Sequence, residues 1–242
     1  MIMISVGVLG STGHMGRAIL AALEAHPRCR LSIAGTRFNA AGVFQNSDVI
    51  IDFTTPDALI PHADFSRHFH KPLVIGTTSL TAEHDSYLRE VAQTVPLVVS
   101  PNMSIAVTLL ANLVRQATEI LDESYDIEIS ELHHRYKKDA PSGTALMLGK
   151  AVSDGKGKSL ADLRSPNDRQ GQRPSGVIGF SSQRGGSVVG DHTVRFIGDE
   201  DMIELSHRGF SRNLYAKGAL CAAEWVVTQK SGLYSMADVL SL

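Results

Sequence analysis

The densest run of reactive side chains is Glu131-Leu132-His133-His134-Arg135-Tyr136-Lys137-Lys138-Asp139-Ala140-Pro141-Ser142-Gly143-Thr144-Ala145. It holds two histidines, three cations and a Pro-Ser-Gly-Thr turn opening a helix. Imidazole titrates near neutrality, so the histidines suit a proton donor and a substrate hydrogen-bond donor. Adjacent strand residues point to opposite faces, so His133 and His134 share a site only where the strand ends or bends. Two histidines without a nearby cysteine or third ligand make a poor zinc site, and no metal is expected. Ser142, Gly143 and Thr144 stand at a helix start, where free N–H groups receive a carboxylate. Lys137 adds a mobile positive charge. The ligand expected here is a small anion, a carboxylate; the alternative is a solvated basic loop.

A second constellation lies near the N-terminus. An apolar strand runs into Gly10-Ser11-Thr12-Gly13-His14-Met15-Gly16-Arg17, and the apolar helix Ala18–Leu23 follows. A pyrophosphate needs backbone N–H groups at a helix N-terminus and no side chain in its way, which Gly10, Gly13 and Gly16 supply. The spacing is G-x-x-G-x-x-G, not the usual G-x-G-x-x-G, and a Gly-rich turn is the plainer alternative. Its place inside a βαβ series points to a dinucleotide. The second strand ends Ala34-Gly35-Thr36-Arg37, with no acid for a ribose 2′-hydroxyl. Arg37 can pair with a 2′-phosphate, so NADPH is expected to serve at least as well as NADH. Gly76-Thr77-Thr78 and Ser100-Pro101-Asn102-Met103 follow later strands and are expected to face the nicotinamide half.

These residues need elements to hold them. Through residue 100, short runs rich in Val, Ile and Leu (4–9, 31–35, 49–53, 73–75, 97–99) alternate with helical stretches (15–24, 56–69, 81–95). That is a doubly wound, Rossmann-type parallel sheet, an α/β fold. The link between residues 31 and 49 is too rich in Gly, Ala and Asn to assign a helix. A long helix (104–121) then precedes an alternating strand (125–131), a helix (142–152), a polar loop (154–174) and strands at 176–182, 187–197 and 202–207. This is a second, α+β domain with a mixed or antiparallel sheet. The apolar helix 213–227 is placed back on the first domain. The expected division is 1–104 with 213–242 for the dinucleotide, and 105–212 for substrate binding and oligomerisation.

Composition narrows the function classes. The chain has 242 residues, 43% hydrophobic and 20% charged, as in an ordinary globular protein. Lys+Arg number 23 against 25 Asp+Glu, a net charge of -2, which argues against binding nucleic acid by overall charge. No apolar run approaches the ~20 residues of a membrane span. Met-Ile-Met-Ile-Ser-Val reads as a strand, not a signal peptide. Cys29 and Cys221 have no partner spacing for a metal or disulfide framework, which fits the cytoplasm.

Over essentially its whole length the chain resembles the 4-hydroxy-tetrahydrodipicolinate (dihydrodipicolinate) reductase family. The family string E-x-H-H-x-x-K-x-D-A-P-S-G-T-A is matched from Glu131 to Ala145 at every fixed position. The glycine loop, the Gly76 and Ser100 loops and Gly190-Asp191-His192-Thr193-Val194 match in order. The resemblance implies NAD(P)H-dependent reduction of a cyclic imine dicarboxylate in diaminopimelate and lysine biosynthesis. It implies His133 as proton donor and acceptor, Lys137 as a further proton donor, His134 as a substrate contact, and Gly143 and Thr144 on a substrate carboxylate. It also implies a homotetramer built on the strands 176–207. Departures are Thr36 where many relatives carry an acid, Ser79 where a glycine is usual, and Met103 for Phe. Two other classes compete. An aspartate-semialdehyde-type dehydrogenase would need a nucleophilic cysteine in a cationic loop, and a nucleotide-sensing Rossmann protein would not need His133, His134 and Lys137 together.

Overall fold

A computed structural model describes residues 3–36, 38–165 and 171–242. The chain divides into two units, Met1–Ile105 with Arg212–Leu242, and Ala106–Ser211.

In the first unit β1 (Ile4–Leu9), β2 (Cys29–Gly35), β3 (Val49–Asp52), β4 (Leu73–Ile75), β5 (Pro96–Val99) and β10 (Gly232–Tyr234) form one parallel sheet. Their order is β10-β5-β4-β3-β1-β2. Alternate residues feed two cores. Val6, Val8, Ile51, Val74 and Val98 face α1 (His14–Glu24) and α8 (Asn213–Val226). Leu9, Ile50, Leu73, Ile75 and Leu97 face α2 (Ala40–Gln45), α3 (Pro56–Phe69) and α4 (Ala82–Val91). All four residues of β3 are buried, as a strand covered on both faces requires. The helix α8 lies close because its inward face is small (Ala216, Ala219, Ala222, Ala223). A Cβ at Gly218 would come within 1.6 Å of the Met103 carbonyl.

Three elements here go beyond the sequence expectation. The segment left unassigned between β2 and β3 contains α2, whose Val43 fits because Gly7 and Gly35 carry no side chain; a Cβ there would meet it at 2.4 and 2.6 Å. Neighbouring strands, not its own periodicity, specify that helix. β10 has only three residues and pairs with β5 alone, and α9 (Met236–Leu240) is held by a Ser235–Asp238 capping box.

In the second unit β6 (Asp126–His133), β7 (Ile178–Arg184), β8 (Gly190–Ile197) and β9 (Met202–Gly209) pair in the order β7-β6-β8-β9. The sheet is mixed: β6 and β7 are parallel, and the other two pairs antiparallel. The helices α5 (Ile105–Ile120), α6 (Gly143–Gly155) and α7 (Leu160–Leu163) pack on its apolar face. α7 lies in the stretch read from sequence as a loop.

Register explains where chemistry can sit on that sheet. Ile178, Ile127, Phe196 and Ile203 form one cross-strand row, and Phe180, Ile129, Val194 and Leu205 the next. The third row on the same face is Ser182, Glu131, His192 and His207, and beyond it His133 pairs with Arg184. A fully buried Ile, Val or Phe contributes about 1.5–3 kcal/mol, and the third row forgoes that contribution at its two buried positions, Glu131 and His192. Buried polar rows of this kind persist only when their groups are paired.

Candidate active site

In the first unit the loops that follow β1, β3, β4 and β5 line a cleft of about 350 Å³. Its walls include His14, Met15, Thr54, Gly76, Asn102 and Met103. The strand order places it at the switch between β1 and β3, beyond the carboxyl ends of the strands, where open α/β sheets bind ligands. Gly10 has φ +74, the left-handed region that disfavours a side chain. A Cβ at Gly16 would lie 2.2 Å from the Gly10 carbonyl and 2.6 Å from Ser11 Cα, so α1 begins in contact with the turn. Gly13 is its N-cap, with no side-chain cap and no acidic residue in the first turn. The helix dipole and the first amides therefore favour an anion. Thr12 and His14 are exposed beside it, while Ser11 is buried and donates to the Gly35 carbonyl at 2.9 Å. Ser11 thus anchors the loop to β2.

The remaining walls are preset in the same way. Gly76 packs flat on the Phe53 ring, which a Cβ would strike at 2.3 Å. Thr77 is buried and Thr78 exposed, and Ser79 sits at φ +63. That backbone favours glycine, so serine there carries a strain of order 1 kcal/mol. Ser100 Oγ donates to the Asn102 carbonyl at 2.7 Å, Asn102 Oδ1 accepts from Ser104 N–H at 2.8 Å, and Pro101 stands exposed. Behind Thr54, Asp52 is fully buried; its Oδ1 accepts from Thr54 N–H at 2.8 Å and its Oδ2 lies 2.7 Å from His62 Nδ1. A cradle kept open by Gly10, Gly13 and Gly16 at a helix N-terminus fits a dinucleotide. Arg37 lies outside the described residues; Thr36 N–H donates to Asn39 Oδ1 at 2.7 Å.

In the second unit β6 ends at His133, which is buried on the polar end of the helix-covered face. His133 Nδ1 lies 2.6 Å from Glu131 Oε2. The other oxygen, Oε1, accepts from Ser142 N–H at 3.1 Å, Ser182 Oγ at 2.6 Å and Arg184 at 2.8 Å. Burial pushes the Glu131 carboxyl up, but His133, Ser182, Arg184 and Ser142 outweigh it and hold the group far below the usual carboxylate range. His192 stacks edge-on against His133, with ring centroids 4.9 Å apart, and its Nε2 meets Ser142 Oγ at 3.1 Å. Burial and the neighbouring His133 lower the His192 pKa to about 3, so His192 is neutral. Gly190 leaves room for the catalytic-candidate ring: a Cβ there would lie 2.9 Å from His133 Nε2.

The loop after His133 carries the rest. Lys137 Nζ is bound by both oxygens of Asp139 at 2.8 Å, so the mobile cation expected from sequence is tethered. Arg184 also donates to the Asp139 carbonyl at 2.7 Å, tying this loop to Glu131. His134 is half-buried just past the strand, its ring 6.4 Å from Tyr136. Gly143 and Thr144 open α6, with Ser142 as N-cap accepting from Ala145 N–H at 3.2 Å. One expectation needs correction. The Ser142 amide is not a free receptor, because Glu131 occupies it and the residue is buried.

Glu131, Ser182, Arg184, Gly190 and His192 were not singled out as site residues in the sequence. The i, i+2 spacing of Glu131 and His133 on one strand was the available signal, since both must share a face. Glu131, His133 and His192 also offer metal-type donor atoms within 4.8 Å of one another. The Arg184 guanidinium on the same carboxylate opposes a divalent cation there.

Residues 4–103 match the family described as dihydrodipicolinate reductase, N-terminus, and residues 106–240 match dihydrodipicolinate reductase, C-terminus. A 4-hydroxy-tetrahydrodipicolinate reductase of Zymomonas mobilis is 42% identical over 253 residues, covering 99% of this chain and 98% of that protein. The protein of the same name from Nitrosospira multiformis is 39% identical over 264 residues, with 99% and 98% covered. Among solved structures, a dipicolinate-bound dihydrodipicolinate reductase from Paenisporosarcina sp. TG-14 aligns with TM-score 0.79 at 20% identity, over 98% of this chain and 99% of that one. A C. glutamicum DAP dehydrogenase in complex with DAP shares the fold at TM-score 0.61 and 14% identity, with 98% and 93% covered. With matches across both halves at about 40% identity, this chain belongs to the dihydrodipicolinate reductase family.

Proposed function

We propose that this chain reduces 4-hydroxy-tetrahydrodipicolinate to tetrahydrodipicolinate with NAD(P)H, in diaminopimelate and lysine biosynthesis. The observation that carries this most directly is His133, held by an ionised carboxylate at the polar end of an otherwise apolar sheet face, beside a Lys-bearing loop that opens a helix. The glycine cradle from Gly10 to Gly16, with Gly76, Thr77, Thr78, Ser100, Pro101, Asn102 and Met103, would hold the nucleotide, whose nicotinamide supplies a hydride when bound. Loss of the substrate hydroxyl as water and gain of a hydride leave one proton to be delivered. His133 is the donor, and Lys137, released from Asp139, is a second cation for the dianionic substrate. Gly143 and Thr144 at the start of α6 face a carboxylate, and His134 contacts the substrate. With no acid at the end of β2, Thr36 and Arg37 favour use of NADPH at least as well as NADH.

The exposed edge residues Met202 and Ile203 on β9 support a homotetramer assembled through the second unit, which light scattering measures. The two free cysteines are consistent with the reducing cytoplasm, and among the described residues no helix is long and apolar enough to cross a membrane.

Oxidation of NADPH in the presence of the pathway imine tests the activity. His133→Gln should lower kcat by about 10²–10⁴-fold with a smaller effect on nucleotide affinity, and Lys137→Ala should impair both KM and kcat. Nucleotide binding without turnover of the imine would favour the nucleotide-sensor alternative.

A further inference from the structure

We propose that Glu131 is a positioning residue that keeps a proton on His133 Nδ1, so that Nε2 is the nitrogen that exchanges a proton with the substrate. This role rests on His133 being the proton donor, as proposed above.

The geometry leaves the pair one arrangement. A carboxylate can only accept, so at 2.6 Å from Oε2 the Nδ1 atom must carry the hydrogen. Glu131 cannot turn away to release it, because three donors from two segments hold its other oxygen: Ser142 N–H at the start of α6, and Ser182 Oγ and the Arg184 guanidinium on β7. Nor can it readily become a donor itself, since those same contacts and Arg184's charge stabilise the ionised form in a residue that is 3% exposed. The imidazole is fixed from its other sides too. His192, neutral and bonded to Ser142, closes one edge, and Gly190 gives the Nε2 end the space a Cβ would fill. His133 Nδ1 and Glu131 Oε2 are both buried and, among the described residues, neither has another hydrogen-bond partner, so each is left to the other. A second, outer carboxylate that sets the tautomer of a working histidine is a known physical device, because the hydrogen bond at one ring nitrogen decides which proton state the other presents.

Glu131→Gln makes a sharp test because the three donors also dictate how the amide sits. Its carbonyl oxygen must take the Oε1 position to accept from Ser142, Ser182 and Arg184. Its NH₂ group then occupies the Oε2 position and donates to His133 Nδ1, which inverts the tautomer to Nε2–H. With ¹⁵N-labelled histidine, at a pH where imidazoles are neutral, the wild type should show His133 protonated at Nδ1 and the variant at Nε2. In parallel, kcat should fall by about 10²–10⁴-fold while KM and nucleotide affinity stay within a few-fold. Glu131→Asp, still acceptor-only, should keep the Nδ1–H tautomer and retain more of kcat than Glu131→Gln. An unchanged tautomer in Glu131→Gln, or equal loss of kcat in the two variants, overturns the proposal. If the glutamine variant does not fold, the wild-type spectrum decides alone: a His133 that carries its proton on Nε2 contradicts the assignment. The tautomer is read without substrate. Failure of the wild type to turn over the imine would therefore sink the proposed reaction while leaving this role separately measurable.

Discussion

Gly190→Ala probes the placement of the His133 ring directly. The new methyl would stand 2.9 Å from His133 Nε2, 3.3 Å from its Cδ2 and 3.3 Å from His192 Cε1, whereas ordinary contact begins near 3.4 Å. The ring tip must retreat by about 0.5 Å, and it cannot do so by sliding, because Nδ1 is held 2.6 Å from a carboxylate that is itself anchored three times. A misplacement of about 1 Å at a reacting group costs roughly 10²-fold, so half of that should lower kcat by about 10-fold. Overpacking should cost about 1–3 kcal/mol of stability, or roughly 2–4 °C of Tm for each kcal/mol in a chain of this size. Nucleotide affinity should stay within twofold, since the glycine cradle belongs to the other unit. The assay is steady-state NADPH oxidation at saturating imine, with nucleotide Kd by titration and Tm by calorimetry. A folded variant with wild-type kcat would refute the placement, because it would mean that the Nε2 end of the ring is not where proton transfer occurs.

At the nucleotide cleft, Gly16→Ala would bring a methyl within 2.2 Å of the Gly10 carbonyl and 2.6 Å of Ser11 Cα. Both are backbone atoms, so α1 must back away from the turn, and the Kd for NADPH should rise at least about 10-fold with the His133 tautomer unaltered; a Kd within threefold of wild type would contradict the cradle. His192 predicts a pH dependence of stability. Its pKa is 6.5 unfolded and about 3 folded, so between those values the unfolded chain binds more protons and stability falls as the pH drops below about 6.5. The contribution is at most about 1.4 kcal/mol per pH unit. Denaturant unfolding across that range should show a shallower slope for His192→Gln, and identical slopes would show that the buried imidazole is not the origin. Glu131, with its folded pKa depressed, adds stability that is lost only as the pH falls below the ordinary carboxylate range.

Much of this protein is legible along the chain because its signals are local. A Val- and Ile-rich run ending in Gly10 and followed by an apolar helix states a βαβ nucleotide cradle with no help from distant residues. The Glu131–Ala145 string likewise places His133, Lys137 and the Ser142 helix start within fifteen positions. Short elements were the first to escape. α2 exists because Gly7 and Gly35, on two other strands, leave a seat for Val43, and β10 exists because β5 has an edge to fill.

Functional support escaped for the same reason. Ser182 and Arg184 on β7, and Gly190 and His192 on β8, lie about fifty residues or more beyond Glu131. They join it only through strand register, which is set when the whole sheet pairs. Which residues are candidates for the chemistry was therefore written in sequence, since reactive types and turn formers are chosen position by position. Which oxygen holds which nitrogen, which amide is already taken, and which glycine makes room were decided by tertiary packing, because a hydrogen bond between strands depends on where both partners land.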